Sequence, residues 1–217
     1  MFRDLLEREF SPYGQLSASQ LDQLESHYKL LLKWNESLNL TRLVDASAAV
    51  KFHYCESLYV ARFLPDVPQR VVDVGSGGGF PGVPIAIFRP EWEVTLVESH
   101  QRKAVFLREA SRELRNVRVV ASRAQEMQGT FDWLVSRAVA PAEVLSLELA
   151  PDVVLLIGEQ DAVHLAGEKD VVPWGRHRVL FHVKRSKPNV SRETSQHAKI
   201  ERCGQDNRNY EPKRRRR

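Results

Sequence analysis

A run of glycines that follows a short apolar segment most constrains how this chain folds. Residues 70–74 contain three valines and are too few for a helix, and four glycines lie within residues 75–79. A short apolar run that ends in glycines is typical of a buried parallel strand stopping at a turn. The residues from Val83 to Phe88 can then begin a helix, with Pro84 tolerated in its first turn. The sequence therefore predicts a strand, a glycine turn and a helix N-terminus, whose bare backbone can approach a polar ligand.

Two kinds of cofactor are compatible with a turn of this kind. The dinucleotide fingerprint Gly-x-Gly-x-x-Gly fails when it is counted from Gly75, because Phe80 takes the last place, but holds when it is counted from Gly77. Asp73 stands two residues before the first glycine, which resembles motif I of S-adenosylmethionine-dependent methyltransferases. The acidic residue favours S-adenosylmethionine over a nicotinamide dinucleotide. A glycine-rich loop without any ligand is the remaining alternative.

Short apolar segments alternate with helical ones beyond the glycine turn. The segments expected to be strands are 94–98, 117–120, 131–136, 153–157 and 179–183, the last of them paired with 171–172. A helix is expected from His100 to Leu114, with Val105, Phe106 and Leu107 buried. This alternation predicts an α/β fold with a doubly wound, mainly parallel sheet, whose ligands bind beyond the carboxyl ends of the strands.

Two helical segments precede the first strand. A capping-box signature begins at Ser17, and leucines then recur at helical spacing as far as Leu38. A second helical stretch follows Asp45. These segments predict a small N-terminal helical lobe over residues 1–66, followed by a cofactor-binding domain over residues 67–185.

The positive charge of the chain is concentrated at its end. Residues 186–217 contain ten Lys or Arg and four Asp or Glu, a net charge of +6, whereas the whole chain carries +4. Apolar residues are sparse in this segment, which is expected to be a disordered, solvated tail. The alternative is a mobile arm that contacts the phosphates of a nucleic acid.

Composition indicates a compartment and excludes some kinds of site. No apolar run approaches the roughly 18 residues that span a bilayer, and the acidic residues among the first nine differ from a signal peptide. The two cysteines, Cys55 and Cys203, are far apart and lack the spacing of metal ligands. We therefore expect a cytoplasmic protein with no membrane contact, no metal site and no disulfide.

Several motifs taken together resemble one family. They are Asn35-x-x-x-Asn39-Leu40-Thr41, His53-x-x-Glu56-Ser57-Leu58, the segment 73–84, Thr95-Leu-Val-Glu98-Ser99, Lys103-x-x-Phe106-Leu107 and Phe131-Asp132-x-x-x-Ser136-Arg137-Ala138. Over roughly residues 20–160 the chain resembles the RsmG (GidB) family, bacterial methyltransferases that act on N7 of a guanine in small-subunit (16S) ribosomal RNA. The resemblance implies a Rossmann-like class I methyltransferase fold, S-adenosylmethionine as cofactor, and the RNA or the 30S particle as substrate. We further expect a monomer.

The same motifs indicate the residues of a cofactor site. Residues expected to contact the cofactor are Asp73, Gly75, Ser76, Gly77, Gly79, Phe80, Glu98, Ala124, Gln125 and Arg137. Glu98 ends the second strand, where its carboxylate can accept hydrogen bonds from both ribose hydroxyls. The resemblance places the adenine near Ala124 and Gln125, and Arg137 in the cofactor or substrate site.

A second group of residues is expected on the substrate side. This group is Asn39, Arg42, His53, Arg102 and Lys103. His53 is as well explained as a packing histidine, and the cations at 102 and 103 as part of a solvated helix face. Five further histidines have no partner at an informative spacing, and His100 follows Glu98 as a helix cap; the five are His27, His164, His177, His182 and His197.

The implied reaction needs no acid or base. Guanine N7 has an in-plane lone pair and no proton, so alignment with the methyl donor within about 3–3.5 Å can supply most of the catalysis. The sequence lacks the Asn/Asp-Pro-Pro-Tyr/Phe motif of methyltransferases that act on exocyclic amines. No catalytic residue is therefore assigned.

Three positions depart from the family pattern. Glu56 stands where the family usually has Asp, Gln125 where it has Glu, and Ile157 where it has Lys. The missing lysine removes a cation near the expected cleft. Two alternatives therefore stay open at this point: a non-catalytic factor for ribosome assembly that binds S-adenosylmethionine or RNA, and a nicotinamide-dependent oxidoreductase.

Overall fold

The computed structural model describes residues 1–175 and 178–184. Within these residues the strands are β1 (Arg70–Val74), β2 (Glu93–Val97), β3 (Val117–Val120), β4 (Trp133–Arg137), β5 (Asp152–Gly158), β6 (Glu168–Val171) and β7 (Arg178–Lys184). They form one sheet in the order β3-β2-β1-β4-β5-β7-β6. β1 to β5 are parallel, and β7 runs antiparallel to both of its neighbours. The predicted α/β fold with a mainly parallel sheet is confirmed, as is the pairing of Val171 with Val179.

Helices occupy both faces of this sheet. They are α1 (Phe2–Phe10), α2 (Ala18–Leu38), α3 (Ala46–Ala49), α4 (Glu56–Phe63), α5 (Gly82–Phe88), α6 (Gln101–Ala110), α7 (Pro141–Leu145) and α8 (Glu159–Ala162). A π-helical turn over Val50–Cys55 joins α3 to α4, and a short 3-10 turn over Ala124–Glu126 follows β3.

The longest helix, α2, is fixed at both ends. Ser17 Oγ accepts the backbone N–H of Gln20, and the Gln20 side chain accepts the N–H of Ser17, so the predicted capping box is confirmed. Gln20 Nε2 also donates to the carbonyls of Ile87 and Phe88, which ties the start of α2 to the end of α5. Asn39, in the left-handed conformation with φ of 48°, ends the helix.

The two faces of the sheet bury separate apolar clusters. One face, which includes Val71 and Leu96, packs against residues of α1, α2 and the helices that follow up to α6. The other face, which includes Val72 and Val97, packs against α7 and α8. Alternate residues of a strand point to opposite faces, which is why Val71 and Val72 belong to different clusters. The helices of the predicted N-terminal lobe therefore share a core with the sheet.

Some expectations about the elements are wrong. The helix expected to reach Leu114 ends at Ala110, and Val105, expected to be buried, is 49% exposed. Helix α1 is not among the elements expected from the sequence. The predicted basic tail over residues 186–217 lies outside the described residues.

The chain order of the strands changes direction at one point of the sheet. β1 pairs with β2 on one side and β4 on the other, and the chain order of the strands reverses between β1 and β4. Val74 at the end of β1 lies beside Ser136 near the end of β4. Ligands of open α/β sheets bind at such a reversal, beyond the carboxyl ends of the strands.

Candidate functional site

The glycine turn lies directly at this reversal. Gly75, Gly77 and Gly79 have φ of +73°, +54° and +88°, a region that residues with a side chain rarely adopt. A Cβ on Gly75 would fall 2.4 Å from Val139 Cγ2, and one on Gly79 would fall 2.8 Å from Val83 Cγ2. These positions therefore require glycine both for conformation and for space.

Hydrogen bonds hold the turn against the neighbouring strand. The backbone N–H groups of Gly75 and Ser76 donate to the carbonyl of Val97, the last residue of β2, at 2.9 and 3.1 Å. Ser76 Oγ donates to the carbonyl of Asp73 at 3.0 Å. Protein groups therefore hold the conformation of the turn.

Asp73 lies inside the protein instead of at the surface of the turn. Its side chain is fully buried, and Oδ2 accepts the backbone N–H of Gly82 at 3.0 Å. Burial raises the pKa of this carboxyl to about 7, while the hydrogen bond from Gly82 acts in the opposite direction. The geometry thus supports a role for Asp73 in holding the start of α5 to β1.

Replacing Asp73 with asparagine is expected to flatten the pH dependence of folding stability. The carboxyl has a pKa of about 7 in the folded state, above the unfolded value near 3.9. Its contribution to the free energy of unfolding is therefore fully present below about pH 4 and is lost as the pH rises to 7. One such group gives a slope of at most about 1.4 kcal/mol per pH unit. Urea unfolding between about pH 4 and pH 8 measures this slope. An asparagine variant whose curve ran parallel to that of the wild type would contradict the assignment.

Glu98 faces the glycine turn from the loop after β2. Its Oε2 accepts the N–H of Gly77 at 2.9 Å, and Oε1 accepts the N–H of His100 at 2.8 Å. The side chain is 8% exposed. Each carboxylate oxygen has two lone pairs, so both can still accept a ribose hydroxyl while they hold the turn.

Arg137 and Phe80 meet above the end of β4. Arg137 Nη1 donates to the carbonyl of Phe52 in the π-helical turn at 2.8 Å, and its guanidinium carbon lies 5.0 Å from the centroid of the Phe80 ring. Burial lowers the pKa of Arg137 to about 10, so it remains a cation at neutral pH. The structure therefore brings Phe80, Glu98, Arg137 and the turn to one edge of the sheet.

His53 is engaged on both ring nitrogens. Its Nδ1 donates to the carbonyl of Phe52 at 3.1 Å, so Nε2 accepts the hydroxyl of Thr41 at 2.6 Å. The ring stacks on Phe80 with centroids 4.6 Å apart. Burial and, to a lesser extent, Arg137 lower its pKa to about 3. This geometry favours the packing alternative for His53 over a direct contact with substrate.

The other predicted site residues are exposed or partly buried. Gln125 is exposed and donates to Glu143 Oε1 at 3.1 Å, and Ala124 is partly buried in the 3-10 turn after β3. Arg42, Asn39 and Arg102 are exposed, whereas Lys103 is partly buried. Within the described residues none of these four has an ion pair. The expected cap is confirmed, since His100 Nδ1 accepts the N–H of Lys103 at 3.4 Å.

His27, for which the sequence indicated no partner, lies next to the glycine turn. His27 is buried behind the glycine turn, its Nδ1 lies 2.8 Å from the Tyr54 hydroxyl, and a Cβ on Gly79 would fall 2.9 Å from its Nε2. Burial lowers its pKa to about 4. The signal was its spacing, since Leu24, His27 and Leu31 recur on the apolar face of α2.

Ile157, which replaces the lysine usual in the family, lies near the end of β5. It is 5% exposed and belongs to the apolar cluster on the face of α7 and α8. An apolar contact therefore occupies the position where a cation was expected. Cys55 is buried as well, and burial raises the pKa of its thiol well above the usual range.

Comparison with known proteins decides the family. The model of the GidB family, described as rRNA small subunit methyltransferase G, matches residues 20–192. The chain belongs to this family. The resemblance found from the motifs is thereby confirmed.

Individual relatives have the same name. The chain is 39% identical over 147 residues to the ribosomal RNA small subunit methyltransferase G of Prochlorococcus marinus (strain NATL1A), which covers 62% of this chain and 59% of that protein. It is 41% identical over 133 residues to the one of Pseudomonas entomophila (strain L48), covering 59% of this chain and 62% of that protein. The chain thus spans about three fifths of the length of these relatives.

A solved structure supports the fold. The crystal structure of a SAM-dependent methyltransferase from Aquifex aeolicus has a TM-score of 0.52 and 15% identity, and the match covers 66% of this chain and 95% of that one. The Rossmann-like methyltransferase fold is therefore confirmed.

No helix within residues 1–175 and 178–184 has the length and apolar character needed to cross a membrane. The same part of the chain has no group of three or more His, Cys, Asp or Glu side chains that could hold a metal ion.

Proposed function

We propose that this chain binds S-adenosylmethionine at the glycine turn and transfers its methyl group to N7 of a guanine in small-subunit (16S) ribosomal RNA. The observation that carries the proposal is the turn at residues 75–79, held against Glu98 at the strand-order reversal of an RsmG-family fold. Val139 and Val83 fill the side-chain positions of Gly75 and Gly79, whereas no side chain lies within 4 Å of a Cβ built on Gly77, so the bare backbone of Gly77 leaves room for a ligand.

The residues at this edge of the sheet fit the parts of the cofactor. Gly77 and Gly79 present bare backbone to the amino-acid end, and Glu98 offers two oxygens to the ribose. Ala124 and Gln125, in the turn after β3, are proposed to contact the adenine, whose amino group can donate to the Gln125 carbonyl oxygen. Arg137 offers a cation beside the turn.

The chemistry then depends on placement. When bound, S-adenosylmethionine supplies a methyl group on a sulfonium, which guanine N7 accepts directly because it has a lone pair and no proton. The chain's task is to hold the two groups in line and to exclude water. The exposed residues Asn39, Arg42 and Arg102, with Lys103, are proposed to contact the RNA, mainly through its phosphates and shape.

Transfer of labelled methyl tests the whole proposal. The substrates are 30S particles and naked small-subunit RNA that lack the modification, and the labelled position is then mapped. Labelling of one guanine at N7 is the expected result. Cofactor binding without labelling of either substrate would favour the non-catalytic assembly factor. Binding of a nicotinamide dinucleotide instead of S-adenosylmethionine, measured by calorimetry, would favour the oxidoreductase, which the family does not support.

Replacing His53 with phenylalanine is expected to lower methyl transfer by no more than about 10-fold, below the 100- to 10,000-fold typical of a general base. The variant keeps the stack on Phe80 and loses the hydrogen bonds to Thr41 and Phe52. The check is kcat at saturating RNA together with the Kd for S-adenosylmethionine. A larger loss of kcat with unchanged cofactor binding would identify His53 as an acid or base and overturn the placement mechanism.

We infer further that the protein acts as a monomer in the cytoplasm, where its RNA substrate is assembled. Light scattering of the purified chain measures the first property, and cell fractionation the second. The division of the chain at residues 66 and 185 also remains a prediction, which limited proteolysis can test.

A further inference from the structure

Glu56 is a fully buried carboxylate that the proposed function does not use. It begins α4, and its side chain is 0% exposed. Oε1 lies 3.3 Å from Arg178 Nε and Oε2 lies 3.8 Å from Arg137 Nη1, but neither oxygen accepts a well-formed hydrogen bond from a described residue. Burial raises the pKa of this carboxyl to about 7, and the two arginines act in the opposite direction. A buried ion pair of this kind is weak evidence for stability, so another reason for it is needed.

The carboxylate lies between arginines of two strands that are not neighbours in the sheet. Arg137 ends β4 and Arg178 begins β7, and β5 lies between these two strands in the sheet. Gly175 covers the site from a third direction, because a Cβ there would fall 3.2 Å from Glu56 Oε1. Glu56 therefore fixes the two guanidiniums relative to the helical segment.

Arg137 has side-chain donors that no described residue uses in a hydrogen bond. Within the described residues it makes one hydrogen bond, from Nη1 to the carbonyl of Phe52. Its Nε and Nη2 make no hydrogen bond to a described residue, and 13% of its side chain is exposed. The guanidinium lies over Phe80, the residue that follows the last glycine of the turn. The planar fork of an arginine matches a carboxylate, to which it can donate two parallel hydrogen bonds.

We infer that Glu56 is a positioning residue, whose buried carboxylate holds the guanidinium of Arg137 so that its free donors bind the carboxylate of the methionine part of S-adenosylmethionine. This inference rests on the proposed cofactor. It assigns the anionic end of the ligand to Arg137 and leaves the ribose to Glu98. Glu56 itself does not contact the ligand.

Two ligands separate a positioning role from a merely structural one. S-Adenosylhomocysteine has the amino-acid carboxylate, and 5′-methylthioadenosine has the same adenine and ribose without it. Glu56→Gln is expected to weaken the binding of S-adenosylhomocysteine by about 10-fold and that of 5′-methylthioadenosine by less than about 2-fold. Only S-adenosylhomocysteine loses charge-assisted hydrogen bonds. Arg137→Gln should show the same selectivity with a larger loss. Calorimetry measures both constants, well below the unfolding temperature of each variant.

Controls make each outcome informative. Glu9→Gln alters a carboxylate of α1 that pairs with Arg8 and Lys51, and should change neither constant. Glu56→Asp keeps the charge and should recover part of the lost affinity, and it replaces Glu56→Gln if that variant does not fold. Equal losses for both ligands, no loss for either, or a selective loss with Glu56→Gln but not with Arg137→Gln would overturn the inference. A wild-type chain that bound neither ligand would overturn the proposed function itself, and this inference with it.

Discussion

Replacing Glu98 with alanine is expected to weaken the binding of S-adenosylmethionine by about 100-fold, as estimated for the loss of two hydrogen bonds to a charged group. The carboxylate accepts the N–H groups of Gly77 and His100 and has lone pairs left for the ribose. Under the proposed function, its removal takes away two ligand contacts and also the group that holds the centre of the turn. Calorimetry with S-adenosylhomocysteine and 5′-methylthioadenosine measures the effect. Both ligands contain the ribose, so both should lose affinity, unlike the selective loss expected for Glu56.

Glutamine at position 98 separates the two functions of this residue. The amide keeps one acceptor oxygen, but its NH2 group points a donor at a backbone N–H that needs an acceptor. We expect the glutamine variant to bind more weakly than the wild type and at least as well as the alanine variant.

The matched control is Glu93→Ala, at the opposite end of the same strand. Glu93 is the exposed first residue of β2 and lies away from the turn. Its replacement should leave both binding constants within about 2-fold of the wild type, since an exposed side chain of this kind contributes little. If Glu98→Ala bound both ligands as tightly as Glu93→Ala, the carboxylate would only hold the turn and the ribose would lie elsewhere.

Local chemistry explains which parts of this fold the sequence could predict. A capping box requires only two side chains three residues apart, and Ser17 and Gln20 form it as expected. The glycine turn depends on backbone conformation, which glycine at 75, 77 and 79 specifies directly. Strands β1 to β5 and β7 follow from short apolar runs, so their existence was predictable, whereas β6 has a single apolar residue and the order of the sheet was not predictable.

Contacts between distant segments explain most of what the sequence could not predict. Glu56 meets Arg137 and Arg178 only because three elements far apart in the chain converge. Asp73 was expected at the ligand, yet tertiary packing directs its carboxylate towards Gly82 at the start of α5. In neither case does the spacing along the chain contain the information.

Two local features were predictable in principle. Phe2, Leu6 and Phe10 recur every four residues and are buried along α1, a helical pattern that identifies this segment. Val105 is different, because successive residues of a helix are about 100° apart and an apolar run of three cannot all face one side. Phe106 and Leu107 are buried, and Val105 is the member of the run that faces solvent.

Replacing Gly82 with alanine is expected to destabilise the fold by about 3 kcal/mol, the sum of overpacking and a weakened buried hydrogen bond. A Cβ at this position would fall 2.3 Å from Leu96 Cδ2 and 2.7 Å from Asp73 Oδ2. Gly82 begins α5, so the added methyl group would push the helix away from β1 and β2. The free energy of unfolding, from urea denaturation, measures the change. The sign of the change in the free energy of unfolding is informative, because alanine in place of glycine usually stabilises a helix by roughly 0.5–1 kcal/mol.

Gly78→Ala is the matched control within the same segment. A Cβ there would fall 3.2 Å from Leu31 Cδ1, the end of a flexible side chain, so the expected cost is below about 1 kcal/mol. Equal stability of the two variants would contradict the close approach of α5 to the sheet. The result also bears on the dinucleotide pattern, which is complete only if Gly82 is its third glycine. That glycine serves the packing of a helix against a strand. Close packing of α5 would thus explain why the Gly-x-Gly-x-x-Gly pattern is complete when it is counted from Gly77, whichever ligand binds. The pattern would then give no reason to prefer a nicotinamide dinucleotide.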